Sequence, residues 1–441
     1  MRNIERNKGQ KTRAVRPSGL RPAAMADLPD EELLEAVQRQ TFRFFWDAAH
    51  PVSGLAPDRV TRSTIPDNDL VTVGGSGFGI MAIIVGVERG WISRAAAIER
   101  LGRMLDLLTR ARCYHGAFPH FLNGRSGATI PFTRKDDGGD LVETSILCMG
   151  LLCARSYFNR PAESRIKGLI DDLWRGVEWD WYTRDGRNVL YWHWSPNNGW
   201  AQDLEIRGWN EGLLTYVLAA SSSRYGVEPS VYHRGYAAGR DFLNGKTYCG
   251  IELPLGTPYG GPLFFAHYAF SGIDPRGLKD IYADYWQQCT RHVRINHAHC
   301  TLNPFKHQGY GTSCWGLTSS DDVTGYAQHA PDHDTGTLSP TAAVSSLPYA
   351  PQESIAAIRH FLTVYGDKVW GPYGFVDAFN PGNNWYADTF LAVDQGPIIL
   401  MIENHRTGLL WDLFMSAPEV QAGFRSLGFS SPHLKTAAAT R

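Results

Sequence analysis

The feature that most constrains the fold of this chain is a series of about a dozen helical runs separated by long loops. Apolar residues recur at helical spacing first at Leu33, Leu34, Val37, Phe44 and Phe45. Similar runs follow at residues 77–88, 93–110, 141–158, 163–177, 211–222, 230–243, 275–296, 337–346, 351–365 and 396–407. Strand patterns are confined to short pieces such as residues 188–193 and 373–379. The pattern therefore predicts an all-α fold.

The loops between these runs resemble one another in composition. Four of them are rich in glycine and aromatic residues: CYHGAFPHFLNG, LYWHWSPNNGW, GTPYGGPLFFAHYAFSG and WGPYGFVDAFNPGNNWY. Long loops of this kind are usually functional when they recur at one end of a domain. Inner and outer helices that alternate, with the elaborate loops on one face, predict an (α/α)6 barrel. An α-solenoid is the alternative, but the repeat is too irregular in sequence to favour it.

The chain is predicted to form one large domain over residues 27–430, because no Pro/Ser-rich linker interrupts that stretch. Residues 1–26 are polar and basic and are predicted to be a disordered tail, and residues 431–441 a C-terminal tail. The N-terminus lacks the apolar core of a secretory signal. As written, the sequence predicts a cytoplasmic protein, and a periplasmic one if a signal precedes these residues.

Composition narrows the class of partner. The chain has 43 basic and 44 acidic residues, so its charge gives no reason to expect nucleic acid or an anionic membrane surface. No apolar stretch is long enough to span a membrane. The seven cysteines include no CxxC pair and do not predict a disulfide framework; Cys148 and Cys153 are expected to be buried thiols. A neutral ligand and a monomeric protein are the expectation.

Three segments share one arrangement. In each, a carboxylate stands at the start of an apolar helix and follows a loop with Trp, Tyr, His or Gly. The segments are GGDLVETSILCMGLL at 138–152, RGWNEGLLTYVLA at 207–219 and AVDQGPIILMIEN at 392–404. A carbohydrate-cleaving site needs acids beside flat aromatic rings. The repeated pairing therefore predicts an enzyme that acts on glycans.

Asp140 and Glu143 are three residues apart at a helix start and should share a face. The structural alternative is a capping box, in which Asp140 caps the helix and Glu143 reaches back. Crowding by Asp136 and Asp137 favours a functional interpretation, because like charges this close are destabilising. The preceding glycines would let the backbone approach a ligand.

Glu211 and Asp394 stand at the other two helix starts. A general acid must be protonated, so Glu211 would need apolar burial, which Trp192, Trp194 and Trp209 could supply, whereas the helix dipole would oppose it. An acid in the first helical turn is also ordinary. Asp394 precedes Gln-Gly-Pro and is interpreted as a helix start. Glu403 is expected to be buried and paired.

No metal site is predicted. The segments HVRINHAHC at 292–300 and PDHDTG at 331–336 are rich in histidine, but no HExxH or CxxC spacing is present. Polar lining or core histidines are the favoured interpretation. The chain also has no GxSxG, Walker or GxGxxG motif in its proper context, which argues against ester hydrolysis, NTP chemistry and dinucleotide redox.

Five segments together resemble the bacterial endo-β-1,2-glucanases of glycoside hydrolase family 144. They are GGDLVETS, RGWNEG, GGPLFFAHYAFSGIDPRG, CWGLTSSD and AVDQGPIILMIENHRTGLLW. They are also similar to the glucoamylase-like region of cyclic β-1,2-glucan synthases. The resemblance covers residues 28–430 and implies an (α/α)6 barrel, no metal or organic cofactor, and β-1,2-glucan as substrate. The family inverts the anomeric centre, whereas the synthase-associated relatives retain it.

The resemblance places the catalytic acids among Asp136, Asp140, Glu143 and Glu211. Our hypothesis is that Glu211 is the general acid of an endo-acting hydrolase, and that Asp140 or Glu143 activates water. Asp136 would bind sugar hydroxyls. Further binding candidates are the rings of Trp192, Trp194, Tyr259, Phe264, Trp315 and Trp385 and the polar side chains of His193, Asp388 and Asp394. Alternatives are a retaining transglycosylase, an exo-acting enzyme that releases sophorose, a phosphorylase and a β-glucan-binding protein.

Overall fold

The computed structural model describes residues 12–14, 21–66 and 68–434, and this part of the chain is mostly helical, with 47% of residues in helices. The helices are α1 Pro22–Ala26, α2 Asp30–Asp47, α3 Val73–Glu88, α4 Arg94–Leu108, α5 Leu141–Tyr157, α6 Ser164–Arg175, α7 Leu213–Ser221, α8 Pro229–Val231, α9 Tyr285–Leu302, α10 Pro340–Ser345, α11 Pro351–His360, α12 Ala392–Arg406, α13 Leu409–Met415 and α14 Pro418–Ser426. Short 3-10 or π turns lie between several of them.

The strands are short and lie in the loops. They are β1 Thr12–Ala14, β2 Arg59–Thr61, β3 Thr64–Pro66, β4 Leu70–Thr72, β5 Phe121–Asn123, β6 Thr129–Ile130, β7 Gly139–Asp140, β8 His193–Trp194, β9 Leu243–Tyr248, β10 Ile251–Leu255, β11 Ser320–Asp322, β12 Gly325–Ala327, β13 Trp370–Gly371, β14 Gly374–Phe375, β15 Phe379–Asn380, β16 Trp385–Tyr386 and β17 Thr389–Leu391. All pairings are antiparallel, in ladders of two or three strands among the described residues. In the described part of the chain, no sheet forms a core. The ladders lie in the loops that connect the helices.

The helices form an apolar inner set and an amphipathic outer set. Nearly every residue of α3 and α5 is buried, as expected for helices that are hydrophobic on all sides. α12 packs against α2, α3 and α10, and α5 packs against α3, α6 and α7. By contrast, α2, α4 and α6 bury one stripe and expose the rest. The inner helices α3, α5, α7 and α12 therefore meet in the core.

Glycines allow α3 and α5 to approach closely. A Cβ added at Gly77 would lie 2.3 Å from the Ile146 carbonyl oxygen, and one added at Gly150 would lie 2.3 Å from the Gly77 carbonyl oxygen. Because both obstructing atoms belong to the backbone, a side chain could enter only if the two helices separated. The contact fixes the position of α5, which carries Glu143.

A buried ion pair near the C-terminal end of α12 connects this helix to α2 and α3. Glu403 is fully buried, as predicted, and receives two hydrogen bonds from Arg89 at 2.8 Å each. Gln38 donates to the same carboxylate at 3.1 Å, and the Thr407 hydroxyl at 2.8 Å. The expectation for Glu403 is confirmed.

Two predicted helices differ from the structure. Residues 230–243 were expected to be helical, but only α8 and a π turn at Tyr232–Tyr236 form before the β9–β10 hairpin. The run predicted at 275–296 becomes α9, which starts at Tyr285 because Asp284 caps it by accepting from the Gln287 amide. The strand predicted at 188–193 is reduced to the pair His193–Trp194.

The predicted tail boundaries also differ. α1 forms inside the stretch assigned to the N-terminal tail, and its Met25 is buried. At the other end, His433 bonds Asp274 at 2.8 Å, so order extends past residue 430. The rest of both predicted tails, residues 1–11, 15–20 and 435–441, lies outside the described residues. Cys148 and Cys153 are buried and unpaired, as expected. In the described part of the chain, no helix has the length and apolar character that crossing a membrane would need.

Candidate active site

Asp140 is the cap of α5. Its Oδ1 accepts hydrogen bonds from the backbone amides of Val142 at 3.0 Å and Glu143 at 2.9 Å. Its Oδ2 lies 3.2 Å from His120 Nδ1. The capping alternative is therefore correct for Asp140, and both of its oxygens already have partners.

Glu143 does not complete a capping box. Its Oε2 accepts from the Gly74 amide at 2.7 Å and lies 3.5 Å from the Thr72 hydroxyl, both at the start of α3. A Cβ at Gly74 would lie 2.6 Å from that oxygen, so only glycine allows the approach. Oε1 has no hydrogen-bond partner among the described residues. Glu143 thus keeps one oxygen free for a ligand.

His120 supplies positive charge to these acids. Burial alone would lower its pKa, but Glu143 and its hydrogen bond to Asp140 raise the pKa to about 10. At neutral pH His120 is therefore a cation beside two carboxylates. The sequence analysis missed His120, which lies in the loop CYHGAFPHFLNG, about twenty residues before Asp140.

Asp136 and Asp137 occupy different surroundings. Asp137 accepts hydrogen bonds from Ser195, Asn197 and Asn198, and these lower its pKa although burial opposes them. Burial and Asp140 raise the pKa of Asp136 to about 7. Asp136 Oδ1 lies 3.3 Å from His193 Nε2. We call Asp136, Asp140 and Glu143 the α5 acidic group.

Glu211 faces the α5 acidic group from a separate segment. It lies in the turn before α7, which begins at Leu213, so it stands two residues outside the helix rather than in its first turn. Burial, with the charges of Asp140 and Glu143, raises its pKa to about 7. Burial therefore outweighs the one opposing effect, a backbone hydrogen bond within Glu211 itself. Trp209 is not shown to be the cause, since it packs against Phe270 and Tyr285.

A second carboxylate group, Asp321, Asp377 and Asp394, lies at the start of α12; we call it the α12 acidic group. Asp394 does not cap the helix, whose N-cap is Leu391. Burial raises the pKa of Asp394 to about 7, and burial together with the charge of Asp394 raises the pKa of Asp377 well above its ordinary value. Asp321 donates its backbone amide to Asp377 at 2.6 Å and pairs with Arg59 at 3.1 Å.

Tyr268 contacts the α12 acidic group and lies near Glu211. Its hydroxyl donates to Asp394 Oδ1 at 3.4 Å, and the charges of Asp394 and Glu211 contribute to its raised pKa. Sequence analysis missed Tyr268, Asp321 and Asp377. All three stand in quoted segments, GGPLFFAHYAFSG, CWGLTSSD and WGPYGFVDAFNPGNNWY, but nothing local shows that these loops meet at α12.

Several predicted rings border the α5 acidic group. Trp194 and His193 form β8, which pairs with Gly139 and Asp140 of β7, and Trp192 directly precedes it. Trp194 also packs edge-on against His115, which stacks on Trp181 at 3.6 Å. Phe132, which we did not predict, is 52% exposed and stacks on His120 at 4.3 Å.

The remaining predicted binding residues are more dispersed. Phe264 packs against Tyr268 at 4.7 Å and so lies near Asp394. Tyr259 stacks on Tyr248 at 4.5 Å. Trp385 is half-buried in β16, and Asp388 lines a separate surface pocket of about 390 Å³. Trp315 is fully buried and its Nε1 donates to the Glu353 carbonyl, so no face is available for a sugar and the prediction for it is not supported.

The histidine-rich segments form a hydrogen-bonded network. Asp334 accepts from Tyr310 at 2.7 Å and bonds His299 at 2.8 Å, with His307 at 3.5 Å. Among the described residues, no group of three or more His, Cys, Asp or Glu side chains is arranged to hold a metal ion.

A groove of about 840 Å³ runs along the outside of α2, away from both acidic groups. Trp46, Trp91 and Trp370 line it. Its polar groups largely satisfy one another, since Glu35 accepts from Trp91 Nε1 at 2.7 Å and from Arg406 at 2.8 Å.

The arrangement suits general acid–base catalysis. Glu211 has a pKa near neutrality and can donate a proton, while burial raises the pKa of Glu143 and the positive charge of His120 opposes that shift. Exposed or half-buried aromatic faces stand beside these acids. Two groups of titratable residues with different environments are typical of sites that divide the acid and base roles.

Known proteins share both sequence and structure with this chain. A family model described as "Putative glucoamylase" matches residues 203–418. A solved structure from Bacteroides uniformis with the same description is 53% identical, with a TM-score of 0.90, and the match covers 93% of this chain and 100% of that one. The endo-beta-1,2-glucanase from Chitinophaga pinensis, solved with sophorotriose and glucose, is 48% identical, with a TM-score of 0.88, over 92% of this chain and 100% of that chain.

A curated relative from Parabacteroides distasonis is 43% identical over 424 residues, or 91% of this chain. It is named exo beta-1,2-glucooligosaccharide sophorohydrolase (non-reducing end). The chain spans 58% of the length of that relative.

Proposed function

The chain belongs to the glucoamylase-like family of bacterial β-1,2-glucanases, glycoside hydrolase family 144, and from this premise we propose that it hydrolyses β-1,2-glucan. The observation that carries the proposal is that Glu211 lies close enough to the α5 acidic group for the charges of Asp140 and Glu143 to contribute to its raised pKa of about 7. The proposed reaction needs only an acid, a base and water.

The proposed architecture is an (α/α)6 barrel. Its support is the order of contacts, in which α5 packs on α7 and α3, α3 on α12, and α12 on α10. The 3-10 turns at Leu263–Ala266 and Ala269–Ser271 would take the remaining inner position, since the second of them packs on α12. The loops before these elements would then form one catalytic face.

Glu211 would be the general acid. Protonated at its burial-raised pKa, it would donate its proton to the glycosidic oxygen as the bond breaks. Its carboxyl group has no hydrogen bond from the side chain of another described residue, so the proton is free to move to a substrate. Departure of the sugar then leaves Glu211 ionised until water restores the proton.

Glu143 is the better of the two predicted bases. Asp140 uses both oxygens to cap α5 and to hold His120, whereas Glu143 keeps Oε1 free. Asp394 is a second candidate, because its Oδ2 is buried without a hydrogen-bond partner and Tyr268 holds its other oxygen. In either case the base would take a proton from the attacking water.

The aromatic rings would hold glucose units on either side of the acids. Trp192 and Trp194 stand beside the α5 acidic group and Phe264 beside Asp394, so each can offer a ring to a sugar C–H face. Tyr259, Trp385 and Asp388 would contact only more distant units.

We propose internal cleavage with inversion. In support, the endo-acting relative from Chitinophaga pinensis is 48% identical to this chain and the exo-acting one from Parabacteroides distasonis 43%. Inversion needs room for a water between acid and base. Release of sophorose alone, or retention by transglycosylation, is the alternative, and a glucan-binding protein without catalysis is the non-enzymatic one.

The test is incubation of the purified protein with linear β-1,2-glucan, with products and anomers followed by NMR. We expect a ladder of short β-1,2-gluco-oligosaccharides whose new reducing ends are first α-configured. Sophorose alone would establish exo action, and β-configured larger or cyclic products a transglycosylase. Binding without turnover, or cleavage of other glucans only, would overturn the proposal.

A further inference from the structure

We propose that Asp136 acts as a neutral, protonated positioning residue: it donates a hydrogen bond to His193 and so holds the turn before Asp140 in its active form. The proposal rests on the function proposed above. It concerns the protonation state in which the site works, and it changes the role predicted for Asp136 from sugar binding to support of the catalytic turn.

The first step is that His193 Nε2 carries no proton. The backbone amide of Gly138 donates to this nitrogen at 3.0 Å, and an imidazole nitrogen can accept a hydrogen bond only through its lone pair. The proton of the neutral ring therefore lies on Nδ1. Burial lowers the pKa of His193, which favours the neutral ring.

The second step is that Asp136 Oδ1 faces this lone pair. The two atoms are 3.3 Å apart, and Oδ1 is buried without a hydrogen-bond partner. An ionised oxygen here would meet a lone pair with no proton between them. A proton on Oδ1 converts the contact into a donated bond, shared with that of Gly138.

The charges around Asp136 agree with this assignment. Asp140 and Glu143 on α5 and the adjacent Asp137 are acidic, and His120 is the cation that faces them. Burial and Asp140 together raise the pKa of Asp136 to about 7 although His120 opposes them. A proton on Asp136 removes one negative charge from this crowded group of carboxylates.

The third step connects His193 to the catalytic turn. β7 and β8 pair in the register Gly139 with Trp194 and Asp140 with His193. The turn is tight, because a Cβ at Gly138 would lie 2.0 Å from the Trp194 carbonyl oxygen. Loss of the His193 contacts would therefore move Asp140, and with it the start of α5 that carries Glu143.

The experiment compares pH profiles of kcat/KM on β-1,2-glucan. If both Glu211 and Asp136 must be protonated, activity of the unaltered enzyme falls about a hundredfold per pH unit at the alkaline end, since each lost proton contributes about tenfold. Asp136→Asn supplies an amide donor at every pH. It should keep activity within about threefold at pH about 6 and reduce the alkaline fall to about tenfold per unit.

Two variants serve as comparisons. Asp136→Ala removes the donor, and we expect a loss of about 30-fold or more at every pH. Asp137→Asn neutralises the neighbouring carboxylate, which bonds Ser195 rather than His193, and should keep the steeper alkaline fall. An asparagine variant as inactive as the alanine variant, or an unchanged slope in Asp136→Asn, would overturn the proposal.

A spectroscopic measurement separates this inference from the function. In 15N-histidine-labelled protein at pH about 6, His193 should show a protonated Nδ1 and an unprotonated Nε2, and above pH about 8 its Nε2 signal should shift as Asp136 ionises. Asp136→Asn should abolish that shift. An Nε2–H tautomer would refute the inference even if the enzyme cleaves β-1,2-glucan, and the predicted spectrum would support it even if the substrate differs.

Discussion

At the scale of single residues, the candidate site depends on one glycine and one half-buried acid. Gly74 admits the Glu143 carboxylate to the amide at the start of α3, and Glu211 gains a raised pKa from its burial. Neither effect requires a unique side chain nearby. Both can therefore be removed by a substitution that leaves the surroundings intact.

Glu211→Gln should remove catalysis and keep binding. The amide has the shape of the acid but cannot give up a proton, so we expect kcat to fall by about 10²–10⁴. Calorimetric titration with a β-1,2-gluco-oligosaccharide should give an unchanged affinity within a few fold. Glu228→Gln, at the start of α8, is the control and should retain full turnover. Undiminished hydrolysis by Glu211→Gln would exclude Glu211 as the acid.

Gly74→Ala should impair catalysis without unfolding the protein. The added methyl group would lie 2.6 Å from Glu143 Oε2 and push the carboxylate away, and displacement of about 1 Å can cost about 10²-fold in rate. Gly168→Ala is the matched control, because no atom lies within 4 Å of its added Cβ. The control should keep its activity; a Gly74→Ala enzyme of normal activity would show that the Glu143 position is unimportant.

At the scale of secondary structure, the prediction succeeded where hydrophobic pattern and cap agree. α5 was predicted at 141–158 and spans Leu141–Tyr157. α3 begins at Val73, four residues before the predicted start at 77. The prediction started too late because Gly74, Gly75 and Gly77, which allow close contacts in the fold, have low helix propensity. The run at 230–243 failed because Gly235 and Gly239 sit against backbone atoms, a tertiary fact that no local pattern contains.

The same distinction between local sequence pattern and tertiary packing applies to the candidate site. Asp140, Glu143 and Glu211 could be predicted because each stands next to an apolar helical run. His120, Tyr268 and Asp377 could not, because they lie in loops whose meeting depends on how distant helices pack. The capping box failed for Glu143 because its partner is an amide of α3, 69 residues away in sequence.

Gly150→Ala tests the contact between α3 and α5. Alanine is the better helix former, but its Cβ would lie 2.3 Å from the Gly77 carbonyl oxygen. We expect the packing effect to dominate and the free energy of unfolding to fall by about 1–3 kcal/mol. Denaturant unfolding measures it, and Gly168→Ala in the exposed helix α6 should be neutral or stabilising. A stabilised Gly150→Ala protein would contradict the close approach.

At the scale of the whole molecule, the active face and the stabilising ion pair lie at opposite ends of α12. Asp394 stands in its first turn and Glu403 near its last, so α12 spans from the proposed chemistry to the contact with α2 and α3. The two buried carboxylates of α12 differ in their hydrogen bonding. Glu403 is paired on every side, whereas Asp394 keeps an oxygen without a partner.

Arg89→Met should destabilise the fold and spare the site. Removing the guanidinium leaves the Glu403 carboxylate buried with only Gln38 and Thr407 as donors, and breaking such a pair costs about 3–5 kcal/mol. Arg103→Met breaks an exposed pair with Glu99 and should change stability by about 0.5 kcal/mol or less. Thermal and denaturant unfolding compare the two. Equal effects would show that the buried pair contributes nothing special.

The clustering of Glu211, Asp136 and Asp394, each with a pKa of about 7, has a consequence for the energetics of ligand binding. Near neutral pH these three carboxyl groups are only partly protonated. A bound glucan displaces water, deepens the burial of these carboxyl groups and raises their proton affinity further. Binding should therefore draw protons from the medium, and the heat measured by calorimetry should vary with the ionisation enthalpy of the buffer. The carboxyl groups of the site would thus take up protons as the sugar binds.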